Sequence, residues 1–130
     1  MVGSGGREHA LARTLVKSPD VSAVLAAPGN GGTAGVGENV PVADSDVPGL
    51  VALAKDRGID LVVAGPEAPL VAGIRDAMET AGIPCFGPDA YAAGLEGSKA
   101  FAKDVMAAAG VPTAAYATFT DAASARAYVE

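Results

Sequence analysis

The chain has 130 residues, a formal net charge of −6 and one cysteine, and half of its residues are hydrophobic. Its negative charge argues against sequence-independent nucleic-acid binding, which depends on clustered Lys and Arg. No apolar run reaches the ~18–20 residues that span a bilayer, and Arg7 and Glu8 interrupt any secretory signal. Cys85 can form no internal disulfide and is interpreted as a structural thiol within a strand. We therefore expect a cytoplasmic protein without membrane or nucleic-acid partners.

The hydrophobic pattern of the first two thirds of the chain predicts alternating helices and strands. Helices are predicted at 7–17, 48–57 and 70–81, and strands at 21–27, 39–42, 59–65 and 83–86. Asp44 or Ser45 is expected to cap the second helix. Because the order from the strand at 39–42 onward is strand–helix–strand–helix–strand, we predict right-handed crossovers and an α/β fold, with an open parallel sheet and flanking helices.

The pattern changes after Gly87-Pro88, and a domain boundary is predicted there. Residues 1–88 form an N-terminal α/β substrate-binding domain in this prediction, and residues 89–130 hold linker helices and the incomplete beginning of a second domain. The second part is predicted to contain helices at 89–95 and 97–109, a strand at 116–119 and a last helix capped by Asp121.

The chain begins with a glycine-rich turn, Gly3-Ser4-Gly5-Gly6-Arg7, that leads into the first helix. The unpaired N–H groups and the dipole at a helix N-terminus favour an anion, and glycine lets a phosphate approach the backbone. Arg7 adds a planar set of donors suited to phosphate. The turn lacks the third glycine of the dinucleotide fingerprint and the Gly-Lys-Ser/Thr of a Walker loop. A tight turn without a ligand is the alternative interpretation.

The strand that leads into this turn is unusually short. Only Met1 and Val2 precede Gly3, whereas a nucleotide-type α/β unit needs ~5 strand residues there. Such a strand normally lies in the middle of the sheet. The sequence therefore predicts a first strand that is truncated, or a gap that another segment must fill.

A second loop is expected at the same edge of the sheet as the glycine-rich turn. Gly65-Pro66-Glu67-Ala68-Pro69 follows the most apolar strand, whereas Pro28-Gly29-Asn30 is predicted only to be part of an irregular loop. Ligands of open α/β sheets bind beyond the carboxyl ends of the strands, where the turn at 3–6 and the loop at 65–69 are expected to lie.

Four motifs in succession carry a resemblance to a known family. They are Gly3-Ser4-Gly5-Gly6-Arg7-Glu8-His9-Ala10-Leu11, Pro28-Gly29-Asn30, Gly65-Pro66-Glu67-Ala68-Pro69-Leu70 and Leu95-Glu96-Gly97-Ser98-Lys99. In residues and order they resemble phosphoribosylamine–glycine ligase, also called glycinamide ribonucleotide synthetase, of the ATP-grasp superfamily. The resemblance covers essentially the whole chain but only the N-terminal part of the family. It implies a Rossmann-like pre-ATP-grasp domain followed by the start of an ATP-grasp domain.

This resemblance implies an ATP-dependent ligase of de novo purine synthesis. Such a ligase joins glycine to 5-phosphoribosylamine and forms glycinamide ribonucleotide, ADP and phosphate, with Mg or Mn. The resemblance places the catalytic residues and the metal ligands beyond residue 130, so these 130 residues are expected to be inactive alone.

The same resemblance implies which residues contact the ligands. Substrate binding is assigned to Gly3, Ser4, Gly5, Gly6, Arg7, Glu8, His9, Asn30, Gly65, Pro66 and Glu67, ATP binding to Lys99, and metal binding to no residue. Each polar position has an ordinary alternative: Glu67 as a solvated acid or helix cap, Asn30 as a turn residue, and Lys99 as a surface lysine. His9 has no carboxylate or cysteine partner in the sequence pattern that would make it a general base.

Two other functions fit part of the pattern. A stand-alone module that binds a phospho-ligand without catalysis would use the same turn. A nicotinamide oxidoreductase would need an acid at the end of the second strand, where Ala26-Ala27-Pro28 stands instead.

Overall fold

The apolar runs form five short parallel strands in the computed structural model, which describes residues 1–130. The strands are β1 (Val2–Gly3), β2 (Leu25–Pro28), β3 (Glu38–Asn39), β4 (Val62–Val63) and β5 (Cys85–Phe86). β1 pairs with β2, β2 with β3 and β4 with β5. A parallel bridge between Val2 and Ala64 joins the two groups, so the strand order is β3-β2-β1-β4-β5. The predicted open α/β sheet is confirmed, with its very short first strand in the middle.

The strands on either side of β1 are shorter than the sequence predicts. Regular pairing in β2 begins at Leu25 rather than at Val21, and pairing in β4 begins at Val62 rather than at Ile59. Parallel strands exist only where a neighbour supplies peptide groups, and the ladders that begin at Leu25 and Val62 are those with β3 and β5, which themselves begin at Glu38 and Cys85. Residues 21–24 therefore form no regular element although their composition favours a strand.

Four helices accompany this sheet: α1 (Gly6–Leu15), α2 (Val47–Asp56), α3 (Glu67–Val71) and α4 (Ile74–Thr80). The single helix predicted at 70–81 is wrong, because Gly73 adopts a φ of 86° in the left-handed region and separates α3 from α4. The predicted cap of α2 is also wrong by one or two residues. Asp46 accepts a hydrogen bond from the Gly49 N–H at 3.0 Å and caps the helix.

The core lies between the sheet and the helices that follow β3. Ile74 and Met78 of α4 are fully buried, and they belong to one apolar cluster with Leu50, Leu70 and Val62. The cluster also includes Val2, so the short central strand is anchored by burial as well as by pairing.

The chain divides into two units, Met1–Ala93 and Gly94–Glu130. The remaining helices are α5 (Ala90–Gly97), α6 (Lys99–Ala108) and α7 (Ala122–Val129). The predicted cap of α7 is confirmed, because Asp121 accepts a hydrogen bond from the Ser124 N–H at 2.8 Å. The boundary predicted after residue 88 stays a prediction. No helix in the structure is long and apolar enough to cross a membrane.

The strand predicted at 116–119 is absent from the second unit. The segment contacts α6 through side chains: Lys103 donates to the Ala114 carbonyl at 3.3 Å, and the Tyr116 hydroxyl lies 3.4 Å from Asp104. No neighbouring strand is available there to complete a ladder, so aromatic and β-branched composition alone does not produce a strand.

Candidate functional site

The glycine-rich turn and the Gly65–Glu67 loop lie together at one edge of the sheet. Each follows the carboxyl end of a strand, β1 or β4, and the Gly65 N–H donates to the Val2 carbonyl at 3.1 Å. The strand order also reverses between β1 and β4, since the chain first extends to β3 on one side and later to β5 on the other. Open α/β sheets bind their ligands at this kind of crevice.

The turn at Gly3 requires glycine. Its φ is 118°, and a Cβ atom there would lie 2.8 Å from the Pro66 Cδ and 2.9 Å from the Glu8 Cγ. Gly5 then forms the N-cap of α1, and Ser4, Gly5 and Gly6 are exposed. The first turn of α1 thus presents backbone N–H groups without intrahelical partners at an open surface.

The buried Glu8 side chain supports the glycine-rich turn. It is only 4% exposed, and Oε2 accepts the Gly5 N–H at 2.6 Å. The other oxygen, Oε1, is buried without a hydrogen-bond partner and lies 3.8 Å from the Arg7 Nε. A Cβ on Gly65 would lie 2.6 Å from the Glu8 Cδ. Glu8 therefore fills the space between the two loops and acts as a positioning residue with one free acceptor.

Arg7 links the two loops across the crevice. Its Nη1 donates to the Gly65 carbonyl at 2.7 Å, while the side chain remains 63% exposed. A guanidinium carries five N–H donors. One bond to Gly65 orients the group and leaves further donors for an anion at the N-terminus of α1.

Both polar atoms of the Asn30 side chain form hydrogen bonds within the protein. Nδ2 donates to the carbonyls of Ser4 at 2.8 Å and Gly5 at 2.9 Å. Oδ1 accepts the N–H groups of Gly32 at 2.7 Å and Thr33 at 3.0 Å. The predicted contact residue thus fixes the backbone of the glycine-rich turn, which makes it a positioning residue.

Sequence reasoning missed Thr33 and Asn39, which support Asn30. The Asn30 N–H donates to the Thr33 Oγ1 at 2.7 Å, and the Asn39 Nδ2 donates to the Asn30 carbonyl at 2.8 Å. The spacing Asn-x-x-Thr is typical of a side-chain-capped turn and could have identified Thr33. No local signal identifies Asn39, because its contact depends on the pairing of β3 with β2.

Replacing Asn30 with aspartate is expected to loosen the turn. The substitution keeps the shape and the Oδ1 acceptor but turns an oxygen toward the carbonyls of Ser4 and Gly5. Losing two hydrogen bonds should lower the free energy of unfolding by about 1–3 kcal/mol, measured by urea denaturation. Asn39→Asp, which removes a single donor bond, is the matched control and should cost roughly half as much. Equal losses would contradict the role of the two carbonyl contacts.

The chain is also similar in sequence to known proteins. Residues 1–96 match the family described as "Phosphoribosylglycinamide synthetase, N domain". The chain belongs to this family. The resemblance seen in the four sequence motifs is thereby confirmed.

Three relatives of the N domain are named phosphoribosylamine–glycine ligase. The relative from Allochromatium vinosum is 57% identical over 132 residues, which cover 99% of this chain and 31% of the relative. The relative from Vibrio cholerae is 53% identical over 131 residues, covering 99% and 30%. The relative from Mycobacterium tuberculosis is 58% identical over 114 residues, covering 88% and 27%. The chain spans about a third of the length of the curated relatives it matches.

The remaining predicted contact residues lie in three different places. His9 packs against the loop that contains Asn30, since a Cβ on Gly32 would lie 2.5 Å from its Nδ1. Glu67 begins α3 and is exposed beside Gly65. Lys99 begins α6 in the second unit, beyond the matched range, and is exposed. Their roles toward ligands stay predictions.

Proposed function

We propose that the chain is the N-terminal, substrate-binding part of an ATP-dependent ligase that joins glycine to 5-phosphoribosylamine. The product would be glycinamide ribonucleotide, formed with ADP and phosphate. Membership of the family and the names of the relatives support this proposal. The observation that carries it is the placement of Arg7 and the open N-terminus of α1 where the strand order reverses.

The phosphate of 5-phosphoribosylamine would bind at the glycine-rich turn. The peptide N–H groups of Gly6 and Arg7 belong to the first turn of α1, where a helix has no carbonyl to pair with them. The dipole of the ten-residue helix adds partial positive charge at this point. The exposed donors of the Arg7 guanidinium supply the charge-assisted bonds that a phosphate prefers.

The ribose and amine end of the substrate would extend toward the β4 loop. Both the amine and the hydroxyl groups can donate hydrogen bonds, and the exposed Glu67 carboxylate accepts them. Glu67 follows Gly65 by two residues, and Gly65 is tied to Arg7. A substrate held by its phosphate at Arg7 therefore lies beside this carboxylate.

ATP would bind to the second unit, which we propose to be the beginning of an ATP-grasp domain. Lys99 is our candidate for the ATP phosphates, because it is exposed at the start of α6. The 130 residues contain no cluster of three or more His, Cys, Asp or Glu side chains that could hold a metal ion. We propose that the Mg or Mn ligands lie outside this chain and that the chain lacks ligase activity by itself, because it spans only about a third of the relatives named for that activity.

Replacing Arg7 with alanine tests the phosphate assignment. Loss of a charge-assisted contact should weaken the binding of ribose 5-phosphate by about 1.5–3 kcal/mol, or roughly 10- to 150-fold. Isothermal titration calorimetry measures this difference directly. Arg13→Ala is the matched control, because Arg13 lies at the opposite end of the same helix. Unchanged affinity of Arg7→Ala would contradict phosphate binding at this turn.

A further inference from the structure

The buried carboxylate of Glu8 has one oxygen that is left without a hydrogen bond. Oε2 accepts the Gly5 N–H at 2.6 Å, whereas Oε1 is enclosed and has no partner. The residue as a whole is 3% exposed, and a Cβ built on Gly65 would overlap its carboxyl group. Leaving a buried charged acceptor unpaired is costly. A donor that reaches Oε1 therefore gains more than it would from an ordinary surface hydrogen bond.

The guanidinium of Arg7 lies close to this oxygen. The distance from Nε to Oε1 is 3.8 Å, which exceeds a charge-assisted hydrogen bond of about 2.7–2.9 Å by roughly 1 Å. Nη1 of the same group donates to the Gly65 carbonyl at 2.7 Å, so one of its nitrogens is already fixed. Because the Arg7 side chain is 63% exposed, solvent can satisfy its Nε–H.

A phosphate at the start of α1 changes this balance, a step that rests on the function proposed above. The phosphate covers the guanidinium and displaces its water, so each N–H of Arg7 then needs an acceptor within the complex. The Gly65 carbonyl accepts from Nη1, the phosphate accepts from the outer donors, and Glu8 Oε1 is left for Nε. Acceptors on three sides fix the orientation of a planar guanidinium.

A carboxylate behind an anion site needs a reason, because its charge repels the anion. The negative charge of Glu8 opposes both Arg7 and the positive end of the α1 dipole. Oε2 also occupies the Gly5 N–H and so removes one donor from the ligand. A glutamine would support the turn without this repulsion, since an amide oxygen also accepts an N–H. A charge-assisted bond to Arg7 is the one of these contacts that requires a carboxylate.

We propose that Glu8 is the positioning residue for Arg7 in phosphate binding. The phosphate draws the Arg7 Nε–H onto Glu8 Oε1, and the closed pair then holds the phosphate as a unit. The oxygen that has no partner in this structure becomes the acceptor that completes the bound state. Glu8 therefore raises phosphate affinity although it contacts no ligand atom.

The sign of the effect of Glu8→Gln tests the proposal. Glutamine keeps the shape and an acceptor for the Gly5 N–H, but it turns an NH2 group toward the Arg7 Nε. Calorimetry should show that ribose 5-phosphate binds about five- to tenfold more weakly. A Glu8 that contributes only negative charge gives the opposite result, because its neutralisation favours an anion. Unchanged or tighter binding would overturn the proposal.

Arg7→Lys separates positioning from a general loosening of the turn. Lysine keeps the positive charge but has no Nε–H and no planar fork. In this background Glu8→Gln should change the affinity for ribose 5-phosphate by less than about twofold. A loss as large as that seen with Arg7 present would assign the effect to the turn alone and overturn the proposal. Unchanged affinity of Arg7→Ala instead contradicts the phosphate assignment itself, so the two failures are distinguishable.

Nuclear magnetic resonance of the Arg7 Nε–H observes the proposed bond directly. The signal is assigned by its loss in Arg7→Lys. Saturation with ribose 5-phosphate should move it downfield and slow its exchange with water in the original chain but not in Glu8→Gln. The Arg13 Nε–H, at the opposite end of α1, is the control and should not respond. An Arg7 Nε–H that exchanges equally fast with and without ribose 5-phosphate, or that is protected equally in Glu8→Gln, would overturn the proposal.

Discussion

Replacing Gly65 with alanine is expected to lower the free energy of unfolding by about 3–5 kcal/mol, measured by urea denaturation. The new Cβ would collide with the Glu8 carboxyl group, lying 2.6 Å from its Cδ. Glu8 is buried, so moving its carboxyl group away from the new Cβ would disturb the packing between the two loops. Its displacement would also break the bond to the Gly5 N–H. The substitution should therefore weaken ribose 5-phosphate binding as well, because the turn loses its support.

Two further variants separate this collision from a general effect of adding a methyl group. Gly31→Ala is the matched control, since nothing lies within 4 Å of a Cβ built there, and its effect should stay within about 0.5 kcal/mol. Combining Gly65→Ala with Glu8→Ala removes the colliding carboxylate. The double variant should therefore cost less than the sum of the single variants. Strict additivity would show that Gly65 and Glu8 are not coupled.

Replacing Ile74 with alanine is expected to lower the free energy of unfolding by about 2–5 kcal/mol. Ile74 has no exposed surface, and it lies in the apolar cluster that includes Leu50, Leu70 and Val62. Truncation removes buried methyl and methylene groups and leaves a cavity between α4 and the sheet. Chemical denaturation followed by circular dichroism measures the loss.

Val71→Ala is the control for this core substitution. Val71 ends α3 and is 40% exposed, so its truncation should change the free energy of unfolding by no more than about 0.5 kcal/mol. A loss for Ile74→Ala as small as that of the control would contradict the central position of α4 in the core.

Local patterns were sufficient to predict most helices but not the lengths of the strands. The start of α1 follows from the glycine-rich turn and the apolar spacing behind it, and α7 follows from the Asp121 cap, because helical hydrogen bonds join residues close in sequence. The predicted strands 21–27 and 59–65 are partly unformed because pairing depends on what lies beside them. β2 and β4 begin only where their ladders with β3 and β5 begin, at Leu25 and Val62.

The candidate site also has a part that the sequence predicts and a part that depends on the tertiary structure. The sequence by itself determined the α/β fold class and the family and predicted an anion-binding turn at the start of α1, since these depend on residue types and short spacings. Only the tertiary structure decided which side chains hold the backbone of that turn in place. Contacts across long sequence separations direct Arg7 to Gly65, Asn30 to the carbonyls of Ser4 and Gly5, and Glu8 into the space under Gly65. Such contacts form only when the sheet brings the ends of β1, β2 and β4 to one edge, so no local pattern contains them.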